Sequence, residues 1–186
     1  MSDGKRAREA PRAPGILLGV GLGGFVDGIL LHQILQWHHL LTDEGSYPRT
    51  TVAGLEANTL ADGLFHAFTW VCVAVGIWLF WRRSSEWRWA LNGRAFAGWL
   101  FVGLGAFNLV EGLVDHHILG IHHVRDDLGG PLSWDVGFLL FSLALMLAGW
   151  VLSMTLARPR TAAPREAATP EPGREPERPG AKNRRV

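Results

Sequence analysis

The sequence has one cysteine, Cys72, in 186 residues, and that scarcity removes two function classes at once. A lone thiol cannot build a disulfide framework, and it cannot build a thiolate-cluster metal site. Net charge is also missing: 18 Lys and Arg stand against 17 Asp and Glu, so nothing in bulk favours nucleic acid. What the chain does have is nine tryptophans, twenty-three glycines and eight histidines. The hydrophobic share of 48% is unevenly spread. Residues 1–12 and 158–186 are polar, and the stretch between them is more apolar than a soluble domain of this size carries.

Four apolar segments fill that stretch: Pro14–Leu41, Asp62–Trp81, Ala95–Val124 and Ser133–Ala157. Each reaches the roughly 20 residues that a helix needs to cross the hydrocarbon core. In lipid every backbone amide must be satisfied within its own segment, and the period-two alternation of a β-barrel is absent. The reading is an all-α membrane protein of four transmembrane helices. It is divided into a basic arm (1–13), a transmembrane domain (14–157, with repeats at 14–81 and 95–157) and a disordered tail (158–186). The tail alternates Arg with Glu, holds six of the ten prolines and has nothing with which to bury a core.

Positive charge sets the expected orientation. Sixteen of the eighteen Lys and Arg fall in the arm, the middle loop and the tail; only Arg49 and Arg125 fall in the other two loops. Both termini are therefore expected in the cytoplasm of a cell whose inner membrane the chain spans, with Leu41–Ala61 and Arg125–Leu132 outside. The tryptophans fit that placement, with Trp37 and Trp134 at the outer interface and Trp81, Trp87 and Trp89 at the inner one. The first segment is too long for a signal-peptide core and lacks a small-residue cleavage site, so it is expected to be retained.

Sliding the sequence on itself by 84 residues exposes an internal repeat. GVGLGGFVDGILLHQILQWHHL, from Gly19, aligns without gaps on GLGAFNLVEGLVDHHILGIHHV, from Gly103. His32, His38 and His39 meet His116, His122 and His123, and Asp27 meets Glu111. The fold is then two parallel copies of a two-helix hairpin, related by a pseudo-twofold axis along the membrane normal. On an α-helical wheel Asp27 and His38 share one stripe, while His32 lies about 140° from Asp27. Asp115 joins the corresponding stripe of the second copy. The glycines at 19, 21, 103 and 105 would let helices approach closely.

Imidazole is the commonest transition-metal ligand, and carboxylates complete oxygen-rich shells. The expected metal residues are His32, His38, His39, His66, His116, His117, His122 and His123, with Asp27, Glu111 and Asp115. The expected ion is iron, copper or zinc; copper(I) would want more sulfur than Cys72, Met146 and Met154 supply. Haem b between His32 and His116, at equal depth on two helices, is the alternative cofactor. A ferritin-like diiron site uses Glu-x-x-His, whereas Asp27…His32 and Glu111…His116 are five apart, which argues against it. Asp62 and Asp135 read as helix-start carboxylates. Three functions stay open: a metal site for metal handling or redox chemistry, a bundle assisting assembly of another membrane complex, and a proton or divalent-cation transporter. The partner is the lipid bilayer, with a homo-oligomer or a membrane redox complex beyond it. No residue pattern identifies a substrate or a reaction.

The strings GFVDGILLHQILQWHH, DGLFHAFTW and NLVEGLVDHHILGIHHVRDD resemble the signature of a bacterial family of multi-pass membrane proteins of unknown function. Its D-G-x-x-x-H-Q-x-x-Q-x-H-H pattern is met by Asp27, Gly28, His32, Gln33, Gln36, His38 and His39. The resemblance covers about residues 15–157 and implies a bacterial inner-membrane protein without implying an activity.

Overall fold

The computed structural model describes residues 11–42, 45, 47–87 and 92–154. Most of the basic arm, Asp43, Glu44, Arg88, Trp89 and the proline-rich tail lie outside those residues. Helix α1 (Arg12–Val26) continues directly into a π-helical segment, Asp27–Ile34. Helix α2 is Val52–Trp87, and α3 (Gly93–Glu111) runs into a second π segment, Gly112–Ile118. A 3-10 turn at Asp126–Leu128 precedes α4, Leu132–Met154. The described residues contain no strand. Four helices, Arg12–Ile34, Val52–Arg83, Gly93–Ile118 and Leu132–Met154, are long and apolar enough to cross a membrane.

Helices α1 and α3 pack against each other at the centre, with α2 laid on α1 and α4 on α3. Among the described residues the backbones of α1 and α4, and of α2 and α3, stay more than 8 Å apart between Cα atoms, and the ring pairs Phe65–Phe107 at 5.8 Å and Phe80–Phe96 at 5.3 Å bridge α2 and α3. The two outer helices turn apolar side chains outward: Trp70, Ile77, Leu140 and Val151 are all exposed. In water such faces would be a large aggregation-prone patch, whereas hydrocarbon solvates them without cost.

Glycine makes the central pairing. A Cβ at Gly19 would land on the Leu100 carbonyl, and one at Gly103 on the Ile16 carbonyl, so the two backbones touch where neither residue has a side chain. Gly21 against Thr69 and Gly105 against Ser142 repeat the device at the outer pairs. Gly103→Val should therefore force α1 and α3 apart and cost about 1–3 kcal/mol, the usual penalty for overpacking. Thermal unfolding in detergent reads it, and an unchanged midpoint would contradict this packing.

Several element boundaries differ from the sequence expectation, among them the end of the second helix, at Trp87 and not Trp81. The first and third helices end at Ile34 and Ile118, not at Leu41 and Val124. Each π segment closes with an amide bonded back five residues, Leu35 to Leu30 and Leu119 to Val114, both at 2.8 Å. The next residue turns left-handed, Gln36 at φ 50° and Gly120 at φ 60°, and the chain leaves the helix axis. Trp37 and Ile121 then bond back to the Leu31 and Asp115 carbonyls, each at 3.0 Å. The second helix begins earlier than Asp62, at Val52. There the Thr51 hydroxyl accepts from the Gly54 amide at 3.1 Å, an N-cap that the loop reading of Leu41–Ala61 passed over.

Candidate metal centre

The π segments decide where the chemistry goes. In an α-helix, residues five apart point away from each other, and the wheel set His32 far from Asp27. A π turn bonds i to i+5, so such residues stack on one face. His32 Nε2 accordingly lies 3.2 Å from Asp27 Oδ2, and His116 Nε2 lies 2.9 Å from Glu111 Oε1. The five-residue spacing that seemed to speak against a helical carboxylate–histidine pair is the spacing a π turn requires.

The chain leaving each π segment folds over the end of the bundle and carries the next histidines inward. His38 and His122 are 0% exposed, and their rings stack with centroids 4.7 Å apart and planes 9° from parallel. His38 Nδ1 donates to the Val124 carbonyl at 3.0 Å, and His122 Nδ1 donates to the Leu40 carbonyl at 3.2 Å. Val124 and Leu40 are themselves repeat partners, so the two loops exchange equivalent bonds across the pseudo-twofold axis. His32 meets the His38 ring edge-on at 4.5 Å, and His116 meets His122 likewise at 4.8 Å. Four imidazoles thus pack into one buried cluster.

Two further carboxylates hold it from behind. Asp62 accepts from His32 Nδ1 and His39 Nδ1, both at 2.8 Å, and from the Leu40 amide at 3.0 Å. Asp135 accepts from His123 Nδ1 at 2.7 Å and from the Val124 amide at 2.9 Å, and stands 3.4 Å from His116 Nδ1. Sequence reasoning assigned both to helix starts. Asp62 in fact lies well inside α2, and Asp135, although in the first turn of α4, spends its carboxylate on the loop and the histidines. Phe65 stacks on His32 at 5.7 Å, and Phe138 lies against His116 at 5.6 Å with its ring tilted, completing the match. The signal was present as D-x-x-F at 62–65 and 135–138, offset by 73 residues; the second hairpin's loop is eleven residues shorter, so an ungapped comparison at 84 misses it.

The remaining histidines are placed differently. His39 and His123 direct Nδ1 at Asp62 and Asp135. His66 donates from Nδ1 to the Asp62 carbonyl at 2.8 Å, with its buried Nε2 facing Gly28. His117 is exposed, and Asp115 is half-buried beside Glu111. Trp37 and Trp134 meet edge-on at 5.7 Å, with the Arg125 guanidinium 4.4 and 5.0 Å from their rings. Arg125 is held there by Asp127 through two bonds of 2.7 and 2.8 Å.

The inner atoms of the cluster lack hydrogen-bond partners among the described residues. Both Asp27 oxygens, His32 Nε2, His38 Nε2, Glu111 Oε2 and both His116 nitrogens are buried without a hydrogen bond among the described residues. The short approaches of His32 to Asp27 and of His116 to Glu111 are contacts at ion-pair distance, misaligned for hydrogen bonding. Glutamate's extra methylene lets Glu111 Oε1 also reach His122 Nε2, at 2.9 Å. Asp27 is shorter and leaves His38 Nε2 alone. Burial first, then the His122 and His32 rings, push the His38 imidazole well below the usual histidine range, so its Nε2 carries a lone pair.

Orphaned polar atoms at this density are rare in folded proteins. A cation fits them. Ligating atoms of His32, His38 and His122 lie within 4.8 Å of one another, as do those of Glu111, His116 and His122. For His32, His38 and His122 the ligating nitrogen would be Nε2, because Nδ1 donates to a carboxylate or carbonyl that fixes tautomer and ring orientation, the usual outer shell of a metal-bound histidine.

Fold and site together define a four-helix protein with membrane-length apolar spans and a buried histidine–carboxylate cluster at one end of the bundle. Within that class, the family described as "Predicted membrane protein (DUF2243)" matches residues 14–155, and the chain belongs to it. Comparison with curated proteins and with solved structures finds no match.

Proposed function

We propose that this membrane protein binds a transition-metal ion through His32, His38, His116 and His122, with Asp27 and Glu111, for metal handling or redox chemistry. The observation that carries the reading is the set of buried, unpartnered Nε2 and carboxylate atoms facing one another. Leaving them uncompensated would cost about 1–3 kcal/mol for each neutral group and more for each charge. A cation answers all of them together. The nitrogen and oxygen donors suit iron, copper(II) or zinc, which would supply Lewis acidity or, for iron and copper, one-electron chemistry. The chain's own residues help keep the site dry: Phe65 lies against His32 and Phe138 against His116.

A bare ion is favoured over haem b because the His38 and His122 rings fill the space between His32 and His116. His38 packs edge-on against His32 at 4.5 Å and His122 against His116 at 4.8 Å, in the space a porphyrin held between His32 and His116 would need. Transport and a purely structural role in assembling another complex are the alternatives. A purely structural role does not explain the converging imidazole nitrogens, whereas a divalent-cation transporter would use the same donors. The distribution of Lys and Arg supports an inner-membrane placement with both termini cytoplasmic and the cluster at the outer face.

Elemental analysis and a visible spectrum of protein purified in mild detergent without a histidine tag test the reading. Iron, copper or zinc at one or two equivalents per chain is expected, with no Soret band. Substoichiometric metal even after reconstitution would overturn it, and a Soret band would replace the ion by haem.

A further inference from the structure

The two groups of converging ligand atoms share one member. His32, His38 and His122 form a three-imidazole set, and Glu111, His116 and His122 form a set of two imidazoles and one carboxylate. His122 has a single nitrogen to give, because its Nδ1 donates to the Leu40 carbonyl at 3.2 Å. One lone pair binds one ion, so the two sets cannot be filled together.

The repeat makes this sharing unexpected. An exact twofold would match the second set with Asp27, His32 and His38, and the first with His116, His122 and His38. Neither mirror set converges among the described residues. One methylene accounts for the carboxylate half of that asymmetry. Glu111 Oε1 lies 2.9 Å from both His116 Nε2 and His122 Nε2, whereas Asp27 Oδ2 approaches His32 Nε2, at 3.2 Å, and leaves His38 Nε2 unpartnered. The imidazoles are uneven too. His32 stands 5.8 Å from His122 between ring centroids, closer than the 6.2 Å from His116 to His38.

We infer that the cluster holds one ion at a time in two alternative positions, the His32–His38–His122 set and the Glu111–His116–His122 set, with His122 as the ligand common to both. The inference rests on the metal reading above and says how that site works. The ion passes between positions by exchanging His32 and His38 for His116 and Glu111 while His122 stays bound. Exchange of ligand for ligand keeps the ion coordinated throughout, because a bare charge in a buried site is too costly to form. The positions differ in chemistry as well as place, since three imidazoles and two imidazoles with a carboxylate are distinct metal environments. Such a pair suits an ion taken up at one position and given up from the other.

The test is titration of the full chain with cobalt(II), after metal-free purification in mild detergent without a histidine tag, read by the visible bands of the bound ion. Wild type should saturate at one equivalent. Asp27→Glu supplies the missing methylene and completes the mirror set with His32 and His38. That set shares no member with Glu111, His116 and His122, so this variant should saturate at two equivalents. Glu111→Gln and His38→Ala should each still bind one equivalent, with different spectra, and the wild-type spectrum should be a weighted sum of the two. His122→Ala, which breaks both positions, should weaken binding by about 100-fold or more. Two equivalents in wild type, one in an Asp27→Glu variant of unchanged melting midpoint, or losses in Glu111→Gln and His38→Ala as complete as in His122→Ala would each overturn the inference and leave a metal centre standing. Should Asp27→Glu not fold, the Glu111→Gln and His38→Ala pair decides alone. No cobalt binding by wild type would remove the metal reading and the inference with it.

Discussion

His122→Ala is expected to remove most of the bound metal, and to do so more completely than any other single histidine change. His122 contributes to both groups of converging ligand atoms, with His32 and His38 on one side and Glu111 and His116 on the other. His38 belongs to only one of them, so His38→Ala should leave a reduced but measurable occupancy. The loss at His122 should exceed the roughly 10–100-fold drop in affinity that follows removal of an outer hydrogen-bond partner. His117→Ala is the matched control: the residue is exposed, and its removal should leave metal content within error. Equal losses in the His117 and His122 variants would mean that metal is held by surface histidines rather than by the cluster.

Asp135→Ala should produce the largest loss of stability. The carboxylate is 0% exposed and accepts from the His123 ring and the Val124 amide while facing His116. Truncation strands the buried Val124 amide and the part-buried His123 ring and removes the charge facing His116, and breaking a buried charged pair typically costs about 3–5 kcal/mol. Asp135→Asn keeps an oxygen for the Val124 amide and removes the charge behind the histidines. It should fold, and lose about 10–100-fold in metal affinity, the cost of a lost outer partner. Asp62→Asn should behave in the same way through His32 and His39. Denaturation in detergent beside metal titration separates the two effects. Asp127→Ala, which removes only the exposed partner of Arg125, should stay within about 0.5 kcal/mol of the parent. If Asp135→Ala were as mild as Asp127→Ala, the buttressing carboxylates would have no part in the site.

Much of this could be read from residues alone, and each miss has its own physical cause. Apolar length identified four spans, and ungapped identity at 84 residues paired His32 with His116 and Asp27 with Glu111. Both signals are local or linear, so they survive without coordinates. The α-helical wheel failed at Asp27–Ile34, because 3.6 residues per turn was assumed where the backbone is π-helical. It also failed beyond Ile34, where a left-handed Gln36 takes His38 and His39 off the helix. A positive φ at glutamine leaves no trace in hydropathy; only Gly120 at the matching place hinted at it. Asp62 and Asp135 were passed over because helix-start carboxylates are commonplace and their repeat relation appears only when the shorter second loop is allowed for.

The measurement closest to the central claim is X-ray absorption at the edge of whichever metal co-purifies, on wild type and on His122→Ala. The cluster predicts nitrogen and oxygen neighbours at about 2.0–2.2 Å, outer-shell scattering from imidazole rings and no sulfur shell. Most of the metal signal, and the imidazole scattering with it, should vanish in the variant. A sulfur neighbour, or an imidazole pattern unchanged by His122→Ala, would contradict a metal centre built from these histidines.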